Sequence, residues 1–317
     1  MTVSRRAMIK GAAAAGAAVP LASAMAGSAT ASAASTNPRT GEWEHVTSTS
    51  HQEDWTQQIQ GMCTDGQYWY VVSNSERRRC VYKLSLDFRT THASLDAPDD
   101  YSHIGSPTFD PVRKLIYVPV EREGSEPTYV WRMTTALNSL STLKLYGRSA
   151  GSRSPQKWKA PWVAHNPVDG LLYSSAYGDP DLTDPALQVN WLNGFSPVTG
   201  CLRKQVHLPS KLHNVQGGVV SPHGNIYLAT DYAYNGSKRI YSYDLSSVVD
   251  GGMARYWGNI PLPGSGTGDE LEVESVTLAH LGWSGSRDTY VTAVVLNIEV
   301  EDDAYLRHFW VPSPGAL

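Results

Sequence analysis

Residues Gln216–Ala229 read QGGVVSPHGNIYLA. A small-residue start leads into the β-branched pair Val219-Val220, and Ser221-Pro222-His223-Gly224 supplies turn chemistry before a second run built on Ile226 and Tyr227. Both apolar runs are too short for a helix and are closed by Pro and Gly, so the stretch is a hairpin of two strands. The layout recurs four times: Gln60–Gly66 into Tyr68–Val72, His103–Pro111 into Leu115–Pro119, Trp162–Gly170 into Leu171–Ser174, and Glu274–Leu278 followed by Thr289–Val294. Turn to turn, the units lie about 45 to 65 residues apart, the length of a four-stranded propeller blade with insertions. Third strands fall in register at Cys80–Leu84, Tyr129–Met133 and Arg239–Asp244.

One such sheet leaves both faces bare, and stacking the sheets in a ring buries them. The expected fold is therefore all-β, a five-bladed β-propeller forming a single domain over residues 41–317. Gly41–Thr47, with Trp43 and Val46, is the candidate closing strand beside the last blade. A pair of β-sandwiches explains the strand spacing but not the recurring strand, turn and Tyr-bearing strand.

The N-terminus has a different composition. Ser4-Arg5-Arg6-Ala7-Met8-Ile9-Lys10 precedes an Ala-rich run to Ala26, and Ala31-Ser32-Ala33 is an A-x-A cleavage site. The layout is that of an export signal, and it resembles the twin-arginine type because of the paired arginines. Residues 1–33 are thus expected to be removed and 34–40 to form a flexible mature N-terminus. The mature protein is expected to be secreted, extracellular and monomeric, with no membrane span.

The chain of 317 residues carries 26 Lys and Arg against 30 Asp and Glu. Loss of the leader removes Arg5, Arg6 and Lys10 and no acid, so the mature chain is more acidic still. No basic stripe exists to neutralise phosphates, which argues against nucleic acid as a partner. Cys63, Cys80 and Cys201 are the three cysteines. Cys63 and Cys80 either bridge, if their strands are neighbours, or act as small buried hydrophobes. G-x-S-x-G, H-E-x-x-H and a phosphate-binding loop before a helix are all missing.

The runs HIGSPTFDP (103–111), LIYVPVE (115–121), VQGGVVSPHGNIYLATD (215–231), DELEVES (269–275) and DDAYLRHFWV (302–311) resemble a group of secreted actinobacterial β-propeller proteins. Members of that group often have Gly where this chain has Val273, and an Asn-Asp before the last strand that is not cleanly present here. The resemblance implies the fold and secretion, and assigns no chemistry.

Propellers bind ligands at the axis, where the innermost strands begin. Polar residues starting those strands are the site candidates. Gln57-x-x-Gln60-Gly61 and His213-x-x-Gln216-Gly217 share a spacing, and their glycines allow close approach of backbones. His103 and His213 are candidates for proton transfer, since an unperturbed imidazole titrates near neutrality. In Asp269–Glu274, alternation places Glu270, Glu272 and Glu274 on one side. Such a cluster either faces solvent or is neutralised by a divalent cation, with Glu272 and Glu274 as ligands. Oxygen donors favour Ca²⁺ or Mg²⁺, and a His co-ligand opens the site to a transition metal. Asp179–Asp184 lacks the glycine and final Glu of an EF-hand loop and reads as an insertion.

Ten Trp and seventeen Tyr against four Phe suggest rings that meet polar ligands, with Trp55, Trp158 and Trp162 near strand starts. These residues suggest a secreted enzyme, hydrolase or lyase, acting on an extracellular polysaccharide or other anionic substrate. His103, His213 and Glu274 would be its catalytic groups, and Gln60, Lys159, Trp162 and Gln216 its substrate contacts. The alternative is a non-catalytic carbohydrate- or protein-binding propeller using the same funnel.

Overall fold

Each hairpin read from the sequence forms, and each is extended outward by further antiparallel strands. The computed structural model describes residues 43–122, 128–156, 161–178, 189–231, 238–262, 271–280, 289–297 and 303–310. Strand β1 (Glu44–His51) precedes a single 3₁₀ turn at Asp54–Thr56. Blade 1 contains β2 (Ile59–Thr64), β3 (Tyr68–Asn74), β4 (Arg79–Ser85) and β5 (Thr91–Asp96). Blade 2 contains β6 (Tyr101–Ile104), β7 (Thr108–Asp110), β8 (Leu115–Arg122), β9 (Tyr129–Thr134) and β10 (Ser139–Lys144). Blade 3 runs through β11 (Ala164–His165), β12 (Leu172–Ser174), β13 (Val189–Phe195) and β14 (Leu202–Leu212). In blade 4 the strands are β15 (Val215–Val220), β16 (Asn225–Thr230), β17 (Arg239–Asp244) and β18 (Arg255–Pro261). Blade 5 holds β19 (Leu271–His280), β20 (Thr289–Asn297) and β21 (Asp303–Trp310), with β1 as its outermost strand.

The closing strand is thus the expected N-terminal segment, paired from Glu44 opposite Trp310 to His51 opposite Ala304. Five apolar clusters fill the five junctions between blades, including the one between blades 5 and 1, where Ala304 and Leu306 meet Ile59, Met62 and Trp69. The sheets therefore close into a ring, and neither face of any blade is left bare.

A tyrosine recurs on the second strand of four blades, Tyr70, Tyr117, Tyr173 and Tyr227, each fully buried. Register places them equivalently, opposite Cys63, Thr108, Ala164 and Val219. Two of them bond to the aspartate of the preceding turn: Tyr70 Oη donates to Asp65 Oδ2 and Tyr173 Oη to Asp169 Oδ2, both at 2.8 Å. A buried phenol gains from such a partner. Blade 2 departs from the pattern because its inner strand breaks at Pro107, which has no amide to give to a ladder. Ser106 turns instead to blade 3: its N–H donates to Pro161 O at 2.8 Å, and its carbonyl accepts from Val163 N at 3.2 Å.

The cysteine bridge does not form, and all three thiols are free and buried. Cys63 lies on β2 and Cys80 on β4 with β3 between them. Cys63 packs against blade 2 and Cys80 against blade 5, on opposite faces of the sheet.

The inner strands approach so closely that a side chain cannot be added at two positions. A Cβ on Gly61 would sit 2.5 Å from Ser106 Oγ, in a backbone already at φ +145°, and one on Gly217 would collide with the Ser275 backbone. Ser106 and Ser275 themselves hydrogen-bond across the axis, Oγ to Oγ at 2.6 Å. Gly217→Ala should therefore destabilise the fold by roughly 1–3 kcal/mol, the usual cost of overpacking, in denaturant melts. Wild-type stability in that variant would show that the axis can relax.

Candidate functional site

The residue before each crowded axial position is where the chain can point a polar group into the ring. Gln60 precedes Gly61, Gln216 precedes Gly217 and Glu274 precedes Ser275. At each of these three the strand register shifts, between Ile59 and Gly61, Val215 and Gly217, and Val273 and Ser275. A bulge removes one residue from the ladder and re-aims its side chain. Gln60, Gln216 and Glu274 thereby line one cavity of about 330 Å³, together with Glu272 and Pro161.

A second tier comes from the far ends of the second strands. Asn74, Glu121 and Tyr177 each stand four residues after the recurring tyrosine of their blade, and all three line the cavity, as does Gln58. The same position in blade 4 is Asp231. Two members of this tier clasp the next blade: Asn74 Oδ1 accepts from Ile104 N at 3.2 Å, and Asp231 Oδ1 from Val273 N at 2.8 Å. The residues that shape the cavity rim therefore also fix the spacing between blades.

His103 enters from blade 2. Its Nε2–H donates to Gln60 Oε1 at 2.8 Å, and Nδ1 faces Glu121 Oε1 at 3.8 Å. Gln60 thus joins blade 1 to a His–Glu pair on blade 2.

Across the cavity, Glu274 is buried and its carboxyl is held well above the ordinary glutamate value of 4.5. Burial is the main cause, followed by the charge of Glu272 and a hydrogen bond to it, with Asp231 adding to the effect. Lys238 opposes the shift from the junction of blades 4 and 5. Its Nζ donates to Asp231 Oδ1 at 2.7 Å and to the carbonyl of Leu271. Burial pushes Asp231 up as well, with Lys238 acting against it. Proton uptake by Glu274, whose pKa is raised, and the nearby Lys238 ammonium both act against the repulsion that pointed to a cation. Among the described residues, no group of three or more His, Cys, Asp or Glu side chains is arranged to hold a metal.

Of the residues proposed from sequence, Gln60, His103, Gln216, Glu272 and Glu274 converge here. Trp162 does not. It is fully buried between blades 3 and 4, Nε1 donating to Ser175 Oγ at 3.1 Å, with Gly218 against its ring. It shapes the blade junction rather than offering a stacking face. His213 lies in the connection between β14 and β15 and is not among the described residues lining the cavity. Trp55 is buried against Phe88 and His51. Lys159, Trp158, Glu270, Asp179–Asp184 and the leader lie outside the described residues. Gln58, Asn74, Glu121 and Tyr177 were not anticipated. The signal for the last three was present in the fixed spacing from the tyrosines.

Geometry and topology define the protein as a five-bladed β-propeller with a polar cavity on its axis. No family profile and no curated protein matches the chain. Among solved structures, TolB from Acinetobacter baumannii is 12% identical with a TM-score of 0.39, over 78% of this chain and 53% of that one. The PQQ-bound aldose sugar dehydrogenase from Streptomyces coelicolor is 10% identical with a TM-score of 0.42, over 84% and 98%. Raptor from Chaetomium thermophilum is 9% identical with a TM-score of 0.38, over 80% and 19%. The chain spans about half the length of TolB. Likeness at this level assigns no activity, and the fold rests on the sheet pairing and the five blade junctions. No helix among the described residues is long and apolar enough to cross a membrane.

The raised pKa of Glu274 has a stability consequence of definite sign. Above pH 4.5 the unfolded chain releases this proton while the folded chain keeps it, so stability falls as pH rises from 4.5 towards the native value of Glu274. Glu274→Gln should flatten that slope in denaturant melts taken from pH 4.5 upward. An unchanged slope would mean that Glu274 is ionised in the native protein.

Proposed function

We propose that the protein is a secreted glycoside hydrolase that cleaves a polyhydroxyl chain in the axial cavity. The carrying observation is Glu274, a buried carboxyl that lines the cavity beside Glu272 and whose pKa burial and that neighbour push well above 4.5. Pairs of carboxyl groups whose surroundings drive their pKa values apart supply the acid and the base of glycoside hydrolysis. In this reading Glu274 gives its proton to the leaving oxygen as the glycosidic C–O bond breaks. Glu121, positioned by His103, takes a proton from the water whose oxygen attacks the sugar carbon. Blade 5 carries Glu274 and blade 2 carries Glu121, with blade 1 between them, so the two carboxyl groups address the cavity from different sides.

The amides of Gln58, Gln60, Asn74 and Gln216 suit sugar hydroxyls, since each both donates and accepts. No Lys or Arg is among the described lining residues, while Glu121, Glu272 and Glu274 are. That balance favours a neutral sugar unit at the centre over the anionic substrate expected from the candidate site residues, and hydrolysis over lyase chemistry. A divalent ion at Glu272 and Glu274 would compete with the shared proton, and the reading does not require one. Export by the twin-arginine route would place the enzyme outside the cell with its polymer.

The same amide lining supports a second reading, a carbohydrate-binding propeller without turnover. Reducing-end release from a glycan panel separates the two. Glu274→Gln should lower kcat by at least about a hundredfold, the contribution of a general acid, while glycan affinity is retained. A wild-type protein that binds glycans and cleaves none, or a Glu274→Gln variant with full activity, would overturn the hydrolase.

A further inference from the structure

A second cavity of about 620 Å³ lies between blades 1 and 2 and belongs to no part of the machinery described above. Its walls include Arg79, Asp99, Asp100, Tyr101, Arg122 and Tyr129, with Ser102 beside them. Arg122 Nε pairs with Asp100 Oδ2 at 3.0 Å, and the guanidinium lies 4.7 Å from the ring centre of Tyr129 and 5.3 Å from that of Tyr101. Held by the rings and the carboxylate, the Arg122 guanidinium is fixed in direction. Arg79 is anchored by its backbone, its carbonyl accepting from Ala97 N at 2.9 Å. Its Nε is buried and has no hydrogen-bond partner among the described residues. A buried donor left unmet is costly, and a ligand oxygen would satisfy it.

The two cavities are joined through consecutive residues. His103 and Glu121 line the axial cavity, while their chain neighbours Ser102 and Arg122 line the outer one. Asn74 lines the first and its cross-strand partner Arg79 the second. The register shift between Tyr101 and His103 breaks the alternation at Ser102, and the cross-strand pair Asn74 and Arg79 sets the two linings side by side. The shared edge is formed by the start of β6 and the end of β8, the same end of the propeller at which the axial cavity lies.

We infer that the outer cavity is a subsite for the adjoining sugar unit of the chain, so that the substrate is an oligosaccharide or polysaccharide rather than a single glycoside. The proposal rests on the reading of the axial cavity as a carbohydrate site. Arg79 Nε supplies a donor to a sugar hydroxyl, and Asp100 in the same cavity an acceptor. Ser102 is exposed at the edge and leaves room for the chain to pass.

The test uses Glu274→Gln protein, so that bound chains persist, titrated calorimetrically with gluco-, manno- and galacto-oligosaccharides of one to five units. Affinity within the preferred series should rise about tenfold from one unit to two, the size of one hydrogen bond to a charged group. Arg79→Gln should abolish that gain. Ser102→Trp, which fills the cavity from an exposed position, should abolish it too, with melting temperatures confirming that both variants fold. Single units that bind with no gain on lengthening, or a gain that survives both variants, would overturn the subsite while leaving the axial reading intact. If no sugar of any length binds, the carbohydrate reading fails and the subsite with it.

Discussion

Close approach of the inner strands at the axis is the constraint from which the rest follows. Gly61 and Gly217 have no room for a side chain, and Ser106 and Ser275 meet across the centre in a 2.6 Å hydrogen bond that ties blade 2 to blade 5. With that level sealed by the smallest residues, the residue before it becomes the floor of whatever lies above. Bulges at Gln60, Gln216 and Glu274 turn this geometric necessity into a ring of polar groups. The cavity is in this sense a by-product of how five sheets are packed into a circle.

The same packing sets the electrostatics. Glu274 is pressed between a crowded axis and the blade junction held by Lys238 and Asp231, where water cannot stabilise its charge. Burial and the neighbouring Glu272 push its pKa well above 4.5, and a carboxyl in its neutral form can donate a proton or a hydrogen bond where a carboxylate could only accept one. His103 and Glu121, reached from the other side of blade 1, are less buried and bonded through Gln60. On the hydrolase reading, Glu274 would be the proton donor and Glu121 the proton acceptor, and the two stand on separate blades.

The architecture was legible because it is written in short-range chemistry. The turn residues Asp65-Gly66, Asn166-Pro167 and Ser221-Pro222, the buried tyrosines and the closing strand near Trp43 each carry a local signature. Much of the cavity was legible for a related reason, since the spacing of Gln60-Gly61 and Gln216-Gly217 marks positions of close approach. What lay hidden depends on which blade faces which. Trp162 starts its strand as a stacking platform would, but Gly218 of the next blade opens a slot that takes its ring. Cys63 and Cys80 are separated by one strand and by the alternation of faces, a fact of register rather than of spacing. Glu121 and Tyr177 look like ordinary strand ends until the ring brings Asn74, Glu121 and Tyr177 to one rim.

The protonation of Glu274 is the point on which the functional account turns. Isotope-edited infrared difference spectra of wild type against Glu274→Gln at neutral pH observe it directly. The account predicts the carbonyl band of one neutral carboxylic acid in the wild type that is missing from the variant. A difference spectrum showing only carboxylate bands would contradict it, and the axial cavity would then be a binding site without an acid.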